Sequence, residues 1–249
     1  MVQLVGILNV TPDSFSDGNQ FFEPKKAVNR ATKLFRDGAA LVDIGAESTR
    51  PGADKLTPDQ EWLRLEPVLK ELIKRFPGKL SVDTYHPENA ERALDLGDVI
   101  INDVTGMNNP AMIEVVSRHK ASCIVSQLPA ADTQSAHNGE LIDDQELIKN
   151  DLLAKASLLE SKGLKRDQII LDPGIGFGKT HELNQKLLRF AEQMPGYRVM
   201  IGYSRKRFLG EHRMELETNL AAGRVAIEAG AAYLRVHDVA GHRRLLNQP

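Results

Sequence analysis

Along the chain one pattern of apolar and polar positions recurs: a short apolar run closes on a polar residue, and a longer amphipathic segment follows. The runs are Leu4–Leu8 closing on Asn9, Ala40–Val42 on Asp43, Leu80–Val82 on Asp83, and Val99–Ile101 on Asn102. They continue with Cys123–Val125 closing on Ser126, Ile169–Leu171 on Asp172, Val199–Ile201 reaching Ser204, and Tyr233–Val236 closing on His237. Runs without alternation predict strands covered on both faces, as in a parallel sheet. The intervening segments predict helices. In Pro24–Asp37, Ala27, Val28, Ala31, Leu34 and Phe35 recur near the ~3.6-residue helical period, and Gly38 supplies the stop. Thr57 predicts an N-cap with Pro58 at the first helical position, for a helix ending near Phe76 before Pro77–Gly78. Pro87–Leu96, Pro110–His119, Asp143–Lys162, His181–Gln193 and Leu216–Ala229 predict the others. Strands alternating with helices specify an α/β fold, and their count and even spacing favour a single (β/α)8 TIM barrel over an open doubly wound sheet.

Length and charge narrow the picture. The 249 residues suit one barrel domain spanning residues 1–249. Thirty-two basic and 34 acidic side chains leave a net charge of −2, which gives no basic field for nucleic acid. No apolar run approaches the ~20 residues that cross a bilayer, so no membrane partner is expected. The N-terminus, MVQLVGILNVTPDS, lacks a signal peptide's basic start and cleavage site. Cys123 is the one cysteine, which excludes an intrachain disulfide and fits a reducing cytoplasm. Histidines 86, 119, 137, 181, 212, 237 and 242 show no H-x-x-x-H or H-E-x-x-H spacing, which argues against a tight zinc site. Mg²⁺ riding on substrate phosphates, with the Asn9 amide oxygen as a ligand, remains compatible with the pattern.

In a barrel, residues just after the strands line the mouth where chemistry takes place. Asn9, Asp43, Asp83, Asn102, Asp172, Ser204 and His237 all fall there, too regular a ring for incidental helix caps. Around them lie the motifs GILNVTPDSFSDG, DIGAESTRPG, SVDT, Asn102–Asp103, DPGIGFGKT, GYSRKRF and RVHD. DPGIGFGKT misses the G-x-x-x-x-G-K-[ST] phosphate loop by one residue, because Pro173 stands where the first glycine belongs. Arg50, flanked by Ser48 and Thr49, is suited to bidentate capture of an oxyanion. Arg50, Lys206, Arg235 and His237 add cations for a polyphosphate, and Asp43, Asp83 and Asp172 add carboxylates for a protonated heterocycle.

Taken in order, NVTPDSFSDG, DIGAESTRPG, SVDT, INDV, DPGIGFGK, SRK and RVHD resemble the dihydropteroate synthase family of pterin-binding barrels, from about Val5 to Val239. The resemblance implies a transferase of folate biosynthesis. It would condense 6-hydroxymethyl-7,8-dihydropterin diphosphate with p-aminobenzoate, giving 7,8-dihydropteroate and pyrophosphate through a dissociative pterin cation. By resemblance, Asp83, Asn102, Asp172 and Lys206 recognise the pterin. Thr49, Arg50, Arg235 and His237 hold the diphosphate, and Asn9 binds Mg²⁺. Phe15, Pro51, Lys206 and Arg207 lie against p-aminobenzoate, where sulfonamides would compete. Asp17, on a mobile loop, steadies the cation and joins Arg50, Lys206, Arg235 and His237 as the reacting set. Small molecules are then the partners, together with a homodimer contact that the short C-terminal segment leaves open.

Three departures from the family accompany these expectations. Val125–Ser126 and QLPAADTQSAHNGE replace a Met-His strand end and its loop, with contact between the smaller Val125 and the pterin ring expected to be weaker or refilled. The lead before the first strand is short, and the last helix is limited to two or three turns. Two alternatives stay open: a non-catalytic pterin-binding paralogue, and a methyltetrahydrofolate methyltransferase of the same fold, which would not need STRPG, SRK and RVHD. The assignment further implies that Asp172→Ala abolishes pterin binding, whereas Arg235→Ala spares dihydropterin binding and damages turnover.

Overall fold

A computed structural model describes residues 2–11, 24–47, 55–130 and 133–246. Eight parallel strands close into a barrel in sequence order: β1 (Gln3–Asn9), β2 (Leu41–Gly45), β3 (Leu80–Asp83), β4 (Ile100–Asp103), β5 (Cys123–Ser126), β6 (Ile169–Asp172), β7 (Arg198–Ile201) and β8 (Tyr233–Val236). β1 closes the ring by pairing with both β2 (Val5 beside Leu41) and β8 (Gln3 beside Tyr233). Outside lie α1 (Pro24–Asp37), α2 (Pro58–Arg75), α3 (Pro87–Leu96), α4 (Pro110–His119), α5 (Thr133–Asn138), α6 (Gln145–Ser161), α7 (His181–Lys186), α8 (Leu216–Glu228) and α9 (Val239–Leu246). None of the described helices is long and apolar enough to cross a membrane.

Alternation along each strand sorts the apolar residues into two cores. Val5, Leu41, Ile124, Ile170, Met200 and Tyr233 form a plug inside the barrel. A larger set, including Leu4, Val42, Ile44, Ile101, Val125, Leu171 and Leu234, packs outward with helix residues such as Leu34, Leu69 and Leu152. Two positions beyond a plug residue, the next inward side chain is polar: Asp43 follows Leu41, Ser126 follows Ile124, Asp172 follows Ile170 and Arg235 follows Tyr233. A polar layer therefore sits directly above the apolar plug.

Two expectations are corrected here. Asp43 does not end its strand, because β2 runs on through Ile44 to Gly45 and Asp43 is wholly buried inside it. Val125 faces the helical jacket, so the loss of methionine at that position does not reach the barrel mouth; Ser126 is the inward residue.

The helices follow their signals closely. The Thr57 hydroxyl accepts the Gln60 N–H (3.3 Å) while the Gln60 side chain accepts the Thr57 N–H (2.9 Å), a reciprocal capping box. Asp144, inside the expected 143–162 helix, is the cap of α6, accepting from Glu146 and Leu147 N–H. The expected helix His181–Gln193 divides into α7 and a tighter 3₁₀ stretch, Leu187–Gln193, that buries Leu187, Leu188 and Phe190. The short α5 falls within the segment read as loop. Glu61 in the first turn of α2 is buried and accepts the Thr84 hydroxyl (2.7 Å) and Asn89 Nδ2 (2.6 Å), tying α2 to the residue after β3 and to α3. Burial raises its pKa against those two hydrogen bonds.

Candidate active site

The polar layer is organised around one guanidinium. Arg235 on β8 donates from Nε to Asp43 Oδ2 (2.7 Å) and from Nη2 to Asp83 Oδ2 (2.9 Å). Asp43 takes two further donors, Ser81 Oγ at Oδ1 (2.6 Å) and Asn102 Nδ2 at Oδ2 (3.0 Å). One positive charge cannot neutralise two carboxylates, and Asp43 has the better supply of donors. The deficit falls on Asp83, whose carboxyl is pushed up to about 7 by burial and by the Asp43 charge. Burial opposes the Arg235 charge, but the two acids outweigh it and raise its pKa.

Across the mouth, Asp172 at the end of β6 accepts the Gly174 N–H at Oδ1 (2.8 Å). Burial raises its pKa, opposed by the charges of Lys206, Arg235 and Lys179 and by the Gly174 hydrogen bond. Lys206 follows β7, donates to the Ile175 carbonyl, and stands 5.0 Å from the centre of the Phe177 ring. Burial lowers it to about 8, with Asp172 acting the other way. His237 receives Ser204 from both sides: its backbone N–H lies 3.3 Å and its Nδ1 3.0 Å from Ser204 Oγ. Asn9 ends β1 with an exposed side chain, beside Gly45 of β2. Arg207 opens a 3₁₀ turn, Arg207–Leu209, and is exposed.

The structure therefore brings Asp83, Asn102, Asp172, Lys206, Arg235 and His237 to one mouth. Phe15, Asp17, Thr49, Arg50 and Pro51 lie outside the described residues. The sequence reading missed Ser81 as a partner of Asp43, and it missed Lys179. Lys179 is buried, donates to the Gln127 (3.2 Å) and Phe177 (3.1 Å) carbonyls, and is lowered by burial to about 7. Only its place in GFGKT signals it.

The same loop shows why its glycines are there. Gly174 has φ +66°, and a Cβ on it would lie 2.0 Å from the Gln127 carbonyl oxygen. Gly178 has φ +57°, with Pro129 Cγ at 2.6 Å from such an atom. These glycines let the β6 loop pack on residues 127–129, a packing role in place of a phosphate cradle.

Asn102 carries a further signal. Its Nδ2 is committed to Asp43, while its Oδ1 is buried and accepts nothing from the described residues. A buried acceptor left unpaired costs about 1–3 kcal/mol, which a ligand N–H would recover. Asp172 on β6 and Asn102 on β4, with β5 between them, thus present acceptors in the same polar layer, and the Lys206 charge acts on Asp172.

Two other places are separate from this mouth. A cavity of about 350 Å³ opens at the other end of the barrel, lined by residues such as Ser122, which precedes β5, and Gln168, which precedes β6. It lacks the buried charges of the mouth, and barrel chemistry belongs to the strand C-terminal face. Glu91, Asp95 and His119 converge on the outer flank of α3 and α4, where Glu91 already pairs with His119 and Arg118. Cys123 is buried with its thiol pushed up to about 12 by burial, so it supplies no nucleophile.

Comparison with known proteins gives the family. The sequence profile of the family described as Pterin binding enzyme matches residues 5–237. The dihydropteroate synthase of Bacillus subtilis is 36% identical over 244 residues, covering 95% of this chain and 83% of its own length. That of Clostridium beijerinckii is 35% identical over 252 residues, covering 97% and 90%. The Xanthomonas albilineans dihydropteroate synthase solved with 4-aminobenzoic acid superposes with a TM-score of 0.89 at 34% identity, covering 99% of this chain and 91% of that one. The Anaplasma phagocytophilum enzyme, solved with bound 6-hydroxymethylpterin-monophosphate, gives 0.87 at 30% identity, covering 99% and 97%. On profile, identity and fold together, the chain belongs to the dihydropteroate synthase family of pterin-binding enzymes.

Proposed function

We propose that the mouth joins 6-hydroxymethyl-7,8-dihydropterin diphosphate to p-aminobenzoate, forming 7,8-dihydropteroate and releasing pyrophosphate. The observation that carries this reading is the buried, unpaired Asn102 Oδ1 in the polar layer that also holds Asp172, on which the Lys206 charge acts. A 2-aminopyrimidinone edge offers adjacent N–H donors, which a carboxylate accepts in pairs. Lys206 donates to the ring's oxygen or nitrogen acceptors. His237, steadied by Ser204, and the remaining donors of Arg235 face the leaving diphosphate, with Thr49 and Arg50 completing the anion site. Fixed donors at that point stabilise the negative charge that grows as the C–O bond to the diphosphate breaks. Asp17 steadies the resulting cation, and the arylamine nitrogen attacks it and loses a proton. Phe15, Pro51, Lys206 and Arg207 hold p-aminobenzoate, the position at which sulfonamides would compete.

Mg²⁺ suits this site as a loosely held ion. Asn9 offers one neutral oxygen at an exposed strand end, which fits an ion completed by water and substrate phosphates. When bound, it neutralises the diphosphate oxygens. We place the reaction in the cytoplasm, consistent with a single, buried cysteine.

The test is to mix the chain with Mg²⁺, the pterin diphosphate and p-aminobenzoate and to measure pyrophosphate and dihydropteroate. Release of both is expected. Intact dihydropterin binding without release would favour the non-catalytic paralogue. The pH profile is a second test. With Asp83 near 7 and Lys206 near 8, the form holding an ionised Asp83 and a protonated Lys206 peaks between those values. Below that window Asp83 gains a proton and loosens Arg235; above it Lys206 loses its charge. A bell-shaped kcat/KM with limbs near pH 7 and 8 is expected. A profile flat from pH 6 to 9 would remove both groups from the rate-determining chemistry.

A further inference from the structure

We propose that Asp43 is a positioning residue that fixes the Asn102 amide so that the bound ring meets its oxygen and never its nitrogen. The inference rests on the pterin reading above and extends it to a residue that does not itself recognise the substrate. An asparagine amide has a donor end and an acceptor end of nearly equal size, so only its neighbours choose which end points at a ligand. Here the choice is made by a carboxylate. Asp43 Oδ2 lies 3.0 Å from Asn102 Nδ2 and, when ionised, accepts hydrogen bonds only. Turning the amide over would set oxygen against oxygen in a buried place. Asp43 has little freedom to adjust, because Ser81 Oγ holds Oδ1 at 2.6 Å and Arg235 Nε shares Oδ2 at 2.7 Å. It lies wholly buried within β2 and acts through Asn102.

The consequence is a rule about the ligand. At the point facing Asn102, the site takes a heterocycle that presents an N–H and disfavours one that presents a bare ring nitrogen. The unpaired Asn102 Oδ1 is the mark of that requirement.

Titration calorimetry with 6-hydroxymethyl-7,8-dihydropterin tests this through a double-mutant cycle. Asn102→Ala is expected to weaken binding about tenfold or more. Asp43→Ala should lose a similar factor. Because the two act through one contact, the double variant should fall within about threefold of the weaker single variant. Asp43→Asn should restore affinity to within about threefold of wild type, since its oxygen can take over Oδ2 while its NH₂ turns to the Ser81 hydroxyl. Multiplying losses in the cycle, or an Asp43→Asn no better than Asp43→Ala, would overturn the positioning role. Unchanged affinity in Asn102→Ala would instead overturn the pterin reading beneath it.

Should Asp43→Ala fail to fold, a swap decides. Asn102→Asp keeps an acceptor for the ligand but opposes Asp43, so binding should fall about tenfold. Asp43→Asn combined with Asn102→Asp should regain most of that loss. A swap as weak as Asn102→Asp alone would refute the proposal.

Discussion

Arg235→Ala is expected to cost about 3–5 kcal/mol of folding stability together with turnover, because it leaves the wholly buried Asp43 and the largely covered Asp83 without their shared cation. The loss should depend on pH with a definite sign. Without the guanidinium, the Asp83 pKa rises further above its already raised value of about 7. A group whose folded pKa exceeds its unfolded one binds more protons when folded, so stability falls as pH rises toward the folded pKa. Denaturation at pH 6 and pH 8 should therefore show the larger deficit at pH 8. Arg235→Lys should recover little, because one ammonium cannot span both acids as the guanidinium fork does. A deficit under about 1 kcal/mol, or one independent of pH, would show that the acids find other partners.

This wiring revises a sequence-level expectation. RVHD read alone makes Arg235 an anion ligand, separable from the pterin acids. In the barrel its Nε and Nη2 are bound to Asp43 and Asp83, and Asp43 also holds Asn102. Dihydropterin binding should therefore fall in Arg235→Ala and not be spared.

Asp172→Ala is expected to weaken dihydropterin binding by at least 100-fold, since charge-assisted hydrogen bonds are each worth about 1.5–3 kcal/mol and a carboxylate can accept two. Asp172→Asn separates charge from shape. It keeps the outline but places a donor where the ring also donates, so at least a tenfold loss should remain. A second signature accompanies the first. Burial lowers Lys206 to about 8 and Asp172 holds it up, so removing Asp172 should move the alkaline limb of the pH profile to lower pH. Wild-type affinity in Asp172→Asn, with the limb unmoved, would place the pterin elsewhere.

The barrel and most of its helices were legible from order alone. Apolar runs name strands covered on both faces, and Thr57 and Pro58 mark a helix start because capping is settled within one turn. The site was legible as a set of residue types at strand ends, and the family resemblance assigned them roles. Partnership was not legible. Asp43 and Arg235 are 192 positions apart, and no local rule says that β1 closes the ring between β2 and β8. Nor does a local rule say that Val125 turns outward while Ser126 turns inward, because a shift of one residue exchanges the faces of a strand. The sequence by itself determined the strand count, most of the helices and most of the named strand-end residues of the mouth, since those depend on short-range periodicity. Only the tertiary structure decided that Arg235 bridges two acids, that the deficit rests on Asp83, and that Asn102 offers its oxygen, since each depends on charges brought together by closing the barrel.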